Sequence, residues 1–200
     1  MGRLRVGVLL SGSGTNLQAI LDAAGAAYQV AVVVSDRADA LGLERARSAG
    51  VPAVHVDPTS HVGRDAFNAA LVDALRAHDV ELVCLAGFMR ILAPNFVRAF
   101  ENRILNIHPA LLPAFPGGHA VADALAWGAK VTGTTVHLVD EEVDHGPIVF
   151  QEAVPIEPGD TEETLHERIK VVEHRLYPRA INLFAAGRIK IEGRIVHVLD

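Results

Sequence analysis

Cysteine is nearly absent. Cys84 stands alone among 200 residues, so neither a disulfide framework nor a cysteine-ligated metal site can form within one chain. It lies in the apolar run Leu82-Val83-Cys84-Leu85-Ala86, where a small buried hydrophobe is the ordinary expectation. Long hydrophobic runs are missing as well. No segment reaches the roughly 18 apolar residues of a membrane span, and the short apolar run behind Arg3 and Arg5 ends in a glycine-rich loop, not in a cleavage site of small residues. A cytoplasmic location and no membrane partner are expected. Positive charge is in deficit: 18 Lys and Arg face 24 Asp and Glu, a formal net charge of -6, which speaks against a nucleic-acid partner. No Pro/Ser-rich linker, internal repeat or low-complexity tract divides the chain, so residues 1–200 read as a single domain.

Half the residues are hydrophobic and 21% are charged, the profile of an ordinary globular protein. Leu4 to Leu10 reads as a strand, Ser11 to Gly14 as a turn, and Thr15 to Ala26 as a helix with Leu17, Ile20, Leu21 and Ala24 on one face. Gln29–Val34 and Pro52–Val56 follow as strands, with a helix over Leu43–Ala49 between them, closed by Gly50. A helix over Arg64–Ala77 precedes the near-continuous apolar strand Val80–Ala86, of the kind buried on both faces. Arg103–His108 is the fifth strand and Val121–Trp127 a short helix. From about residue 130 strands come without intervening helices: Thr134–Val139, Ile148–Ile156 and a closing hairpin over Ile189–Val198. Between them Asp160, with Glu163 as a capping box, opens a helix striped by Leu165, Ile169, Val172 and Leu176. The pattern predicts an α/β protein. Its central sheet is doubly wound and mostly parallel with helices on both faces, and its C-terminal portion is antiparallel.

Three groups of residues could carry chemistry. Ser11-Gly12-Ser13-Gly14-Thr15-Asn16 joins a strand to a helix, and such a loop offers close-approaching backbone amides to an anion, with a phosphate as the natural guest. It is neither a Walker loop nor the full dinucleotide fingerprint, because no Gly-Lys-Ser/Thr follows and Gln18 and Ala19 stand where the third glycine belongs. A tight turn is the plainer alternative. In Leu105-Asn106-Ile107-His108-Pro109, strand alternation puts Asn106 and His108 on one face, and Pro109 stops the ladder behind them. A histidine that moves protons and an amide that donates to a developing oxyanion suit attack on a carbonyl; a satisfied structural histidine is the alternative. The third group is the acidic loop Asp140-Glu141-Glu142-Val143-Asp144-His145-Gly146, where a carboxylate beside His108 favours its protonated form. Spacing does not single out one acid, and a solvated turn remains the bland reading.

No histidine set with ligand spacing occurs, so no metal is expected. His55, His61, His78, His145, His166, His174 and His197 have no motif around them, while His119 and His137 could line a cleft. Glu173 falls beside its helix's apolar stripe, where an acid either pairs with an arginine or binds a cationic or hydroxylated ligand. Met89 and Ile91, taken alone, are ordinary core candidates.

Five segments then combine: Gly-Ser-Gly-Thr-Asn-Leu-Gln-Ala-Ile at 12–20, Ala-Gly-Phe-Met-Arg-Ile-Leu at 86–92, Leu-Asn-Ile-His-Pro-Ala-Leu-Leu-Pro at 105–113, Val-Asp-His-Gly-Pro-Ile at 143–148 and Glu-His at 173–174. In this order, over nearly the whole chain, they resemble the phosphoribosylglycinamide formyltransferase family. The resemblance implies a Rossmann-like formyltransferase fold with a phosphate-binding half over about 1–100 and a catalytic, folate-binding half over about 101–200. It implies formyl transfer from 10-formyltetrahydrofolate, a co-substrate, to the amine of glycinamide ribonucleotide in purine synthesis, with no metal and no nucleotide cofactor. By the same resemblance Asn106, His108 and Asp144 are catalytic, and Asp144 raises the pKa of His108. Gly12, Ser13, Gly14, Thr15, Asn16 and Glu173 then hold the ribonucleotide, and Arg64, Met89, Arg90, Ile91, Leu92, Asn106 and Asp140 the folate. It assigns no role to His119, Asp123 or His137. The expected partners are small molecules. A homodimer is compatible with the fold, although no heptad or apolar stripe requires one.

A formyltetrahydrofolate hydrolase shares the catalytic half but needs neither the phosphate loop nor Glu173. Methionyl-tRNA formyltransferase adds a basic RNA-binding domain. A non-catalytic phosphate-binding module has no use for Asn106, His108 and Asp144 together.

Overall fold

A computed structural model describes residues 2–199. The chain divides into two compact units between Leu105 and Asn106, inside a strand. The first unit holds β1 (Leu4–Leu10), α1 (Thr15–Asp22), β2 (Tyr28–Ser35), α2 (Leu41–Ser48), β3 (Ala53–His55), α3 (Gly63–Arg76), β4 (Leu82–Leu85), α4 (Pro94–Ala99) and the start of β5 (Ile104–His108). Its strands run β3-β2-β1-β4, and the three pairings are parallel. The chain winds outward from β1 through β2 to β3, then returns to place β4 on the other side of β1. That reversal is the doubly wound switch point predicted from the βα rhythm. All four residues of β4, Cys84 among them, are buried, as are Val6–Leu10 of β1. Each fully buried Val or Leu side chain contributes about 1.5–3 kcal/mol over an exposed one.

One helix end and one short helix escape the sequence pattern. The helix predicted to reach Ala26 ends at Asp22. Residues beyond it are drawn into the entry to β2, where the Gly25 amide donates to Tyr28 O and the Leu4 amide to Ala27 O. Helix α4 has no counterpart in the sequence reading, because six residues opened by Pro94 bury only Phe96 and Val97 and show no period.

The second unit holds the end of β5, α5 (Ala120–Trp127), β6 (Val131–Leu138), β7 (Ile148–Pro155), α6 (Glu162–Ala185), β8 (Ile189–Glu192) and β9 (Ile195–Val198). Its strands run β5-β6-β7, with β6 and β7 antiparallel, and β8 and β9 form a separate antiparallel hairpin. Val121, Val154, Leu165 and Ile169 make a buried cluster, with Leu125, Ile156 and Val172 packed against it.

The cap of α6 corrects the expectation for Asp160. Thr161 is the N-cap: its hydroxyl accepts from the Thr164 amide at 3.2 Å while the Thr164 hydroxyl accepts from the Thr161 amide at 3.0 Å. Asp160 is drawn off by Arg168, whose two terminal nitrogens donate to it at 2.7 and 2.9 Å, and by the Glu157 amide at 2.7 Å. The paired guanidinium holds this carboxyl far below the usual carboxylate range.

Candidate active site

Two loops of the first unit flank the switch point between β1 and β4. After β1, the carbonyls of Gly12 and Ser13 are both turned toward α2, where the Gly42 amide donates to Gly12 O at 3.1 Å and Arg45 Nε to Ser13 O at 2.8 Å. In a planar trans peptide the N–H points opposite the C=O, so the amides of Ser13 and Gly14 face away from α2. Gly14, the N-cap of α1, has a left-handed φ of 71°, and a Cβ there would lie 2.7 Å from Gly42 Cα. No side chain caps α1 and its first turn carries no acid. The loop therefore presents outward amides at a helix start with no competing carboxylate, an arrangement suited to an anion. Thr15 and Asn16 open the helix itself. The sequence held no signal for Arg45, which reads as one charge on an amphipathic helix.

After β4, Gly87 O accepts from the Ser11 amide at 3.0 Å and Ser11 Oγ accepts from the Met89 amide at 2.9 Å, tying the two loops together. Arg90 Nε donates at 2.6 Å to Asp36, whose side chain is buried. Anchored this way, the segment turns its apolar side chains outward: Met89 is 72% and Ile91 60% exposed, so the core placement expected for each in isolation does not hold. Leu92 is half-buried, and Arg64 is exposed in the first turn of α3.

In the second unit, Asn106 and His108 do share a face of β5, and both meet Asp144. Asp144 Oδ1 accepts from Asn106 Nδ2 at 3.4 Å, and Oδ2 lies 3.4 Å from His108 Nδ1. Asp144 has a φ of 51°, a left-handed conformation that Asp tolerates better than most residues. Its neighbour Asp140 points elsewhere, accepting from the Glu142 amide and lying 2.7 Å from His145 Nδ1. Glu141 and Glu142 are exposed. The ambiguity among the four acids is thus resolved geometrically in favour of Asp144.

The structure adds two groups. His137 is 1% exposed. Its Nδ1 lies 2.8 Å from Leu138 O, which only accepts, so the proton sits on Nδ1 and Nε2 accepts from Asn106 Nδ2 at 3.1 Å. A register shift of the β6–β7 ladder at Val136/His137 aims this ring. The loop after β5 supplies Phe115, whose carbonyl accepts from His108 Nε2 at 2.8 Å, and Gly117, whose amide donates to Asp144 Oδ2 at 2.7 Å. Neither loop residue carried a sequence signal, because both act through the backbone.

Asp144 pulls the His108 pKa upward, as expected, but it does not act alone. Burial lowers the His108 pKa below the ordinary 6.5, outweighing the upward pull of Asp144 and of the Phe115 carbonyl. The ring is 4% exposed. The distances agree: 2.8 Å to Phe115 O requires a proton on Nε2, while 3.4 Å to Asp144 is long for a charge-assisted bond, normally about 2.7–2.9 Å. For Asp144, burial works to raise the pKa, but the hydrogen bond from the Gly117 amide and the other polar neighbours outweigh it, so the carboxylate stays ionised at neutral pH.

Glu173 is 4% exposed on α6. His119, preceding α5, and Asp123, in its first turn, are exposed and none of their hydrogen bonds reaches the Asn106–His108–Asp144 group. Among the described residues no group of three or more His, Cys, Asp or Glu is placed to hold a metal ion, and no helix is long and apolar enough to cross a membrane.

Residues 4–181 match the formyl transferase family. A phosphoribosylglycinamide formyltransferase from Mycobacterium tuberculosis is 51% identical over 191 residues, which cover 95% of this chain and 89% of that protein. The trifunctional purine biosynthetic protein adenosine-3 of Bos taurus is 44% identical over 203 residues, 99% of this chain. This chain spans 20% of the length of that protein and 14% of its counterpart in Chironomus tentans. The crystal structure of glycinamide ribonucleotide transformylase 1 from Symbiobacterium toebii superposes with a TM-score of 0.97 at 59% identity, covering 100% of this chain and 95% of that one. The chain belongs to the phosphoribosylglycinamide formyltransferase family of formyl transferases.

Proposed function

We propose that the chain transfers a formyl group from 10-formyltetrahydrofolate to the amine of N1-(5-phosphoribosyl)glycinamide, a step of purine nucleotide synthesis. The products are formylglycinamide ribonucleotide and tetrahydrofolate. The observation that carries this reading is the convergence of Asn106, His108 and Asp144, from two separate segments, in a chain of this family. The Phe115 carbonyl on His108 Nε2 stands where a carbonyl acceptor belongs. When the Phe115 carbonyl gives up that bond, the formyl oxygen receives it instead.

The amine attacks the formyl carbon, and negative charge builds on the formyl oxygen. His108 Nε2–H stabilises it, and the Asp144 carboxylate beside Nδ1 favours the protonated ring, the stronger donor. Asn106 adds a second donor by releasing its 3.4 Å contact to Asp144, the longer of its two, while His137 keeps the amide oriented. Collapse breaks the bond to the folate nitrogen; the proton shed by the amine ends on that nitrogen, so the transfer is balanced. The buried Cys84 takes no part.

The Gly12–Asn16 loop binds the ribonucleotide phosphate through its outward amides, and Glu173 contributes to the same substrate. The exposed Met89 and Ile91 side chains, with Leu92, enclose the flat pteridine while backbone groups of residues 89–92 satisfy its polar edge. Arg64 and Asp140 complete the folate side. Arg45→Ala frees the Ser13 carbonyl and loosens the amide cradle, so KM for the ribonucleotide should rise about 5- to 20-fold, the worth of one or two hydrogen bonds. Its kcat should stay within about twofold; an unchanged KM removes the phosphate role from this loop.

Mixing the protein with 10-formyltetrahydrofolate, with and without the ribonucleotide, tests the function. Tetrahydrofolate should appear only when the ribonucleotide is present. Equal release in its absence indicates hydrolysis, and no release in either case refutes the proposal.

A further inference from the structure

We infer that Arg194 is a positioning residue for this reaction, holding the loop between β6 and β7 through His145 and so fixing the Asp144 carboxylate against His108. The inference rests on the catalytic reading above. Arg194 occupies the turn between β8 and β9, C-terminal to residues 4–181. In the sequence, Glu192-Gly193-Arg194 is an unremarked hairpin turn, and His145 has no motif around it. The structure joins them.

Arg194 Nη2 donates to the His145 carbonyl at 2.6 Å, and Nη1 lies 3.0 Å from His145 Nε2 and 3.4 Å from Nδ1. His145 Nδ1 in turn lies 2.7 Å from Asp140 Oδ2. An ionised Asp140 only accepts, and a guanidinium only donates. The ring therefore carries its proton on Nδ1, and Arg194 Nη1, near both ring nitrogens at once, lies over the ring face and not in its plane. Asp140 holds the imidazole at its edge, and the guanidinium stacks on its face while donating to the carbonyl of the same residue. The planar fork fixes ring and carbonyl of one residue at once, which a point charge cannot do.

Asp144 and His145 are consecutive and committed in different directions. Asp144 meets Asn106, His108 and the Gly117 amide, whereas His145 meets Asp140 and the hairpin. The base of the loop is closed by the Leu138 amide donating to Pro147 O at 2.8 Å, and Gly146 packs so tightly that a Cβ would lie 1.9 Å from Leu138 O. A left-handed non-glycine residue such as Asp144 persists when its surroundings over-determine it. Asp144 is held on one side by its own carboxylate contacts and on the other by Arg194.

The contacts of Arg194 are exposed and contribute little to overall stability, so their effect falls on geometry. In the full chain, Arg194→Ala should lower kcat about 10-fold, since a 1 Å misplacement can cost as much as about 100-fold. KM for the ribonucleotide should change less than about twofold, and Arg194→Lys should restore part of kcat by donating to the carbonyl alone. The deciding measurement repeats Arg194→Ala in an Asp144→Asn background, where the loss should shrink below about twofold because the group being positioned is gone. Equal losses in both backgrounds assign Arg194 a merely structural role and overturn the inference. Normal turnover by Arg194→Ala beside an impaired Asp144→Asn overturns it alone, whereas normal turnover by Asp144→Asn overturns the catalytic reading and this inference with it.

Discussion

His108→Ala should lower kcat by about 10²- to 10⁴-fold, the usual contribution of a positioned proton donor. The ring is the group whose Nε2–H already serves a carbonyl acceptor, and alanine leaves the forming oxyanion with Asn106 alone. Binding of the ribonucleotide should survive within a few-fold, because the Gly12–Asn16 cradle belongs to a different loop and is held by α2. The substitution also strips the Phe115 carbonyl of its donor, a loss of about 1 kcal/mol, or roughly 2–4 °C in Tm for a chain of this size. Steady-state kinetics beside a melting curve separate the two effects. A kcat within threefold of the parent, with the fold intact, would remove His108 from the chemistry.

Asp144→Asn should cost about 10- to 10³-fold in kcat, since an opposite charge within a few ångströms shifts a partner's pKa by about 1–3 units. The sign follows from the site. Burial already lowers the His108 pKa against the pull of Asp144. Removing the carboxylate lowers it further, so the protonated ring, the stronger donor, is available over a narrower pH range. The limb of the pH–kcat profile that belongs to His108 should therefore move to lower pH. Asparagine keeps an oxygen for the Gly117 amide and is itself common in left-handed conformations, so fold and loop should persist. An unshifted limb together with an undiminished kcat would leave Asp144 as a structural acid only.

Much of this protein is local and therefore legible in its sequence. The β-branched and leucine runs became buried parallel strands, the glycine loop became the start of α1, and strand alternation alone put Asn106 and His108 on one face. These signals depend on the periodicity of the backbone and on what glycine and proline permit. The capping residue of α6 was legible only in part, because Asp160 and Thr161 both qualify as N-caps by type; Arg168, eight residues on, took Asp160 and left Thr161 to cap.

The rest was decided by tertiary structure, for reasons of two kinds. Backbone groups have no residue-type signature, so the Phe115 carbonyl and the Gly117 amide, which complete the surroundings of His108 and Asp144, could not be read in advance. Long-range pairings have none either: Arg45 aims the amides of a loop some thirty residues upstream, and Arg194 clasps His145 across 49 positions. The ionisation of His108 shows the limit most directly. A carboxylate as neighbour was readable as a motif, and it does pull the imidazole upward. How much water surrounds the pair is a property of the packed molecule, and here desolvation outweighs attraction. The sequence by itself determined which side chains could carry the chemistry; only the folded chain decided which acid they meet and how far burial opposes the charge on the imidazole.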